Sequence, residues 1–105
     1  MAAAATILID GQAIDRTQLA ELCRRYGLAE LAVFGSMARG EAMLSSDIDL
    51  LYELAPGARL GFAINALEDE LSTLFGRPVD LVSKPALHRL IRDDVLAEAR
   101  TLYAA

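Results

Sequence analysis

The chain has 105 residues, 54% of them hydrophobic, and fifteen acidic against ten basic side chains give a formal charge of −5. This length sets one domain, residues 1–105, burying somewhat over about 60% of its unfolded surface without covalent staples. The acidic balance, with Lys84 the sole lysine and the arginines scattered, argues against a protein that tracks a nucleic-acid backbone. No apolar run is long enough to span a bilayer.

In chain order, Thr6 to Ile9 reads as a strand turning at Asp10-Gly11 toward Ala13-Ile14. A helix starts near Asp15, a good N-cap, and carries Leu19, Leu22, Cys23 and Tyr26 on one face. Gly27 ends it. Cys23 is the only cysteine. It excludes an internal disulfide, fits a reducing cytoplasm, and reads as buried filler. Residues 30–35 form the first core strand, 47–54 the second, and 78–83 the third. Between the last two lies a helix from about Leu60 to Phe75, ended by Gly76, with Glu68-Asp69-Glu70 as its wet face. Beyond Pro85 a short turn leads to a last helix bearing Val95, Leu96, Ala99 and Leu102, with Asp93-Asp94 as caps. Tyr103 reads as a tail residue packed on the core. Helices alternating with strands give an α/β (α+β) class: a small mixed sheet covered by helices.

The chemistry lies in the strands. Asp47 and Asp49 stand two residues apart, so on a strand both project from one face. Taken alone the pair reads equally as a metal site or as two solvated aspartates at a strand start. Asp80 places another acid within an apolar strand, where aspartate is disfavoured. If the two strands are neighbours, three carboxylates converge on one pocket. Like charges so placed repel unless a cation lies between them, and hard oxygens suit Mg²⁺ shared with phosphates. Three carboxylates can hold two such ions. Ahead of Asp47, the strand Leu31–Phe34 ends at Gly35-Ser36. A strand, a glycine, a serine and a helical turn form a phosphate cradle, although Gly-Ser alone is usually just a turn. Arg39 suits phosphate oxygens, with a surface pair to Glu41 as the alternative. Lys84 reads as a solvated loop lysine, with a triphosphate contact as the alternative. His88 stands outside any Cys/His cluster and reads as a surface residue or minor cap.

The stretch LAVFGSMARGEAMLSSDIDLLYEL, with VDLV downstream, resembles the minimal nucleotidyltransferases of the DNA polymerase β superfamily. Their pattern is Gly-Ser, ten residues, Asp-x-Asp, then one more aspartate on a strand. Here those positions are Gly35, Ser36, Asp47, Asp49 and Asp80. At motif level the resemblance covers about residues 28–85. Met37 departs from it, since many relatives carry a basic residue there. The resemblance implies a polymerase-β-like nucleotidyltransferase fold. It implies Mg²⁺, as one ion or two, held by Asp47, Asp49 and Asp80, and nucleotide bound by Gly35, Ser36 and Arg39. It further implies an antitoxin that transfers AMP from ATP to a tyrosine hydroxyl of a HEPN-type ribonuclease toxin, with homo- or hetero-oligomers compatible; the charge and the short apolar runs add the expectation of no direct nucleic-acid or membrane contact. Met37 keeps open an antitoxin that neutralises its toxin by binding alone. Transfer to a small molecule fits less well, because such relatives carry an additional helical domain.

Overall fold

The computed structural model describes residues 6–9, 12–35, 47–87 and 89–105. A hairpin of β1 (Thr6–Ile9) and β2 (Gln12–Asp15) leads into α1 (Arg16–Arg25). Then come β3 (Leu28–Phe34), β4 (Ile48–Leu54), α2 (Ala63–Phe75) and β5 (Val79–Ser83). A 3-10 turn at Lys84–Ala86, α3 (Arg89–Glu98) and β6 (Arg100–Ala104) complete the order. The main sheet runs β5-β4-β3-β6. β4 and β5 are parallel, joined by the α2 crossover, while β3 is antiparallel to both β4 and β6.

The helix boundaries follow local chemistry. Asp15 caps α1 by accepting from the Thr17 and Gln18 amides at 2.9 and 3.1 Å. Gly76 ends α2 in the left-handed region at φ 71°. Two apolar clusters lie on opposite faces of the sheet. Leu31, Val33, Ile48, Leu50, Val79 and Leu81 pack with Leu19, Leu22 and Cys23 of α1 and Leu67, Leu71 and Phe75 of α2. Ala32 and Leu51 pack beneath Val95 of α3, with Phe34, Val82 and Leu96 around them. Strand alternation puts odd-numbered β4 residues and even-numbered β3 and β5 residues on this second face.

Several details differ from expectation. The last helix stops at Glu98, and Leu102 belongs to a strand. Asp93 and Asp94 sit mid-helix and exposed, so they cap nothing. The acidic run of α2 is only partly a wet face. Glu68 accepts from the Leu81 amide at 3.3 Å, and Glu70 accepts from the Tyr26 hydroxyl and from Arg25 at 2.9 Å. Tyr103 does pack on the first cluster.

Candidate active site

The second face of the sheet is organised as cross-strand rows. Phe34 on β3 is the register partner of Asp49 on β4, and Asp49 is the partner of Asp80 on β5. Neighbouring strands lie about 4.8 Å apart, so the two carboxylates leave the sheet side by side. The next row is apolar: Ala32, Leu51 and Val82. At the far end, Glu30 is partnered by Glu53, and Lys84 reaches both carboxylates at 3.0 and 3.8 Å. Lys84 is therefore not a solvated loop lysine but the cation of a partly buried ion pair. It stands four residues, or about 13 Å of strand, from Asp80.

Asp47 precedes β4 by one residue and is exposed, as is Asp80, while Asp49 is half-buried. Burial raises the Asp49 carboxyl above the ordinary aspartate value, and the charges of Asp80 and Asp47 push it further. The three acids thus share one electrostatic neighbourhood. Gly35 closes the other side. Its φ is 74°, and a Cβ built there would lie 2.7 Å from Asp49 Oδ2. Only a residue without a side chain lets the bend approach this carboxylate so closely. Ser36, Arg39, Met37 and His88 lie outside the described residues.

Among the described residues, no three His, Cys, Asp or Glu side chains form an ion cage by themselves. The donor set nevertheless fits Mg²⁺: hard, mutually repelling carboxylates, with a glycine bend beside them. Mg²⁺ commonly takes one or two carboxylates and completes its octahedron with water and phosphate oxygens. Sequence reasoning passed over Arg77, which is 7% exposed at the same end of β5. A buried arginine beside Pro78 carries no periodic signal that would have singled it out.

The nucleotidyltransferase domain family matches residues 16–102, which include the Gly35 bend, β4 and β5. The chain belongs to this nucleotidyltransferase family. The domain is 44% identical over 78 residues to the protein adenylyltransferase MntA of Thermococcus cleftensis, covering 74% of this chain and 78% of that one. A solved structure provisionally named a minimal nucleotidyltransferase is 41% identical and superposes with a TM-score of 0.69 over 81% of this chain and 86% of that one. A toxin–antitoxin complex with AMP-PNP superposes with a TM-score of 0.68 at 23% identity, covering 86% of this nucleotidyltransferase and 73% of that chain. A tri-AMPylated HEPN toxin of Shewanella oneidensis in complex with its MNT antitoxin gives 0.60 at 21% identity, with 86% and 70% covered. These last two show the shared fold alone. No helix among the described residues is long and apolar enough to cross a membrane.

Proposed function

We propose that this nucleotidyltransferase is a Mg²⁺-dependent protein adenylyltransferase. It moves AMP from ATP to a tyrosine hydroxyl of a HEPN-type ribonuclease toxin and acts as that toxin's antitoxin in the cytoplasm. The observation that carries the reading is the adjacency of Asp49 and Asp80 across two strands, with Gly35 closed against Asp49. The adenylyltransferase among its relatives supports the reaction, and the toxin–antitoxin complexes among its structural neighbours support the partner.

Asp47, Asp49 and Asp80 hold the metal. Bound Mg²⁺ supplies positive charge that offsets the carboxylates and the phosphates, in one ion or two. The Gly35 bend, with Ser36 and Arg39, holds the β- and γ-phosphates and stabilises charge on the leaving group. Asp80, the exposed member of the row, takes the proton from the acceptor hydroxyl. The acceptor oxygen bonds to the α-phosphorus as the bond from that phosphorus to the bridging oxygen breaks. Pyrophosphate leaves with the bond's electrons.

The test incubates a HEPN-type toxin with the chain, ATP and Mg²⁺ and weighs the toxin by intact-mass spectrometry. Gain of one or more AMP units, absent with Asp47→Ala or Asp80→Ala, is the expected result. Transfer that survives both substitutions contradicts the site. Tight inhibition by the Asp47→Ala protein without any mass change contradicts catalysis as the basis of neutralisation.

A further inference from the structure

We infer that Glu68 and Ser72 of α2 are positioning residues for Asp80. β5 is an edge strand of the sheet. The Pro78 carbonyl accepts from the Ile48 amide at 2.9 Å, so residues 78 and 80 turn their backbone polar groups toward β4. Residues 79 and 81 then turn theirs outward, and both amides are taken by side chains of α2. The Val79 amide donates to Ser72 Oγ at 3.1 Å, and the Leu81 amide donates to Glu68 Oε2 at 3.3 Å. The two anchors flank Asp80 in sequence. Leu67, Leu71 and Phe75, beside them on α2, are fully buried, so the helix that carries the anchors is itself fixed.

The arrangement does two things. It holds the strand segment bearing Asp80 from both sides, so the carboxylate keeps its place beside Asp49 on the opposite face of the sheet. It also occupies outward amides that an added strand would need, so the acceptor reaches Asp80 from the face and not by extending the sheet at β5. The first consequence rests on the reading of Asp80 as the group that takes the acceptor proton.

The test compares Glu68→Ala and Ser72→Ala with the conservative Glu68→Gln and Ser72→Thr, each of which keeps an acceptor oxygen. Two quantities are read: amide hydrogen exchange at Val79 and Leu81 in the metal-free protein, and steady-state kinetics with the toxin. Expected are faster exchange at the unanchored amide and a fall in kcat of roughly tenfold, with KM for ATP within about twofold. The conservative variants are expected to restore both. Unchanged exchange in the alanine variants overturns the inference whatever the activity. So does faster exchange with kcat intact, or a Glu68→Gln protein as slow as Glu68→Ala. A wild-type chain that transfers nothing would instead contradict the proposed function, and the exchange measurement would still decide whether the anchors hold β5. If Glu68→Ala fails to fold, Ser72→Ala, which removes one hydroxyl, carries the same comparison.

Discussion

Gly35 and Asp49 form the tightest contact of the candidate site at the scale of single residues. An alanine at 35 must adopt a left-handed backbone, which costs about 1–2 kcal/mol, and must push against Asp49 Oδ2 at 2.7 Å. Gly35→Ala is therefore expected to lower the melting temperature and to slow adenylyl transfer by roughly a hundredfold, because a small misplacement of reacting groups has that effect. Melting followed by circular dichroism, together with the transfer assay, checks both. Asp49 carries the opposite tension. It is half-buried beside two like charges, a local conflict that works against stability and that the proposed metal site would relieve. Asp49→Asn removes the charge that those two repel, so in chelator at pH 7 the variant is expected to melt higher than wild type while losing transfer. A lower melting temperature would contradict the crowding of charge at this end of the sheet. Cys23 is inert by contrast: fully buried, with burial pushing its thiol up to about 12. Iodoacetamide at pH 8 is expected to leave the folded chain unmodified over times that alkylate it fully in denaturant, as read by intact mass.

At the scale of elements, α1 and α2 are clamped where the Tyr26 hydroxyl and Arg25 both donate to Glu70. The hydroxyl bond, then the Arg25 bond and charge, hold the Glu70 carboxyl below its ordinary value of 4.5, against the opposing pull of desolvation. A depressed carboxylate stabilises the fold above its unfolded pKa and loses that contribution as pH falls through the folded value. Glu70→Gln is thus expected to melt below wild type at pH 7, with the gap closing as pH falls progressively below the ordinary 4.5. A gap that persists in acid would contradict the linkage. Most elements were legible because their signals are local. Asp15 caps, Gly27 and Gly76 stop helices, and the apolar runs around Asp49 and Asp80 mark strands. β6 was not legible. Val95, Leu96, Ala99 and Leu102 continue a helical period, and the bulge in the pairing of β3 with β6 destroys the alternation that marks a strand. Thr101 pairs with Ala32 and Tyr103 with Leu31, so Leu102 is the extra residue, and Leu102 and Tyr103 both pack on the first cluster. The adjacency of Asp49 and Asp80 was expected only if their strands were neighbours, since register follows from tertiary packing. Lys84, Glu68 and Glu70 escape a local reading for the same reason: their partners lie 54, 13 and 44 residues away in sequence.

At the scale of the whole molecule, the second face of the sheet has two unlike ends separated by an apolar row under α3. One end pairs its charges internally through Lys84, Glu30 and Glu53. The other sets Asp49 and Asp80 side by side, and the charge of Asp47 is also felt at Asp49. An end that concentrates negative charge beside a glycine bend calls for a cation and an anionic ligand together. Neither is therefore expected to bind well alone. The measurement that tests this most directly is calorimetric titration of the purified chain with ATP, with Mg²⁺ and with chelator. ATP binding that requires Mg²⁺ and is lost in both Asp47→Ala and Asp80→Ala is the predicted result. ATP that binds equally well in chelator, or to the Asp80→Ala protein, would contradict the joining of the two strands in one metal-dependent site.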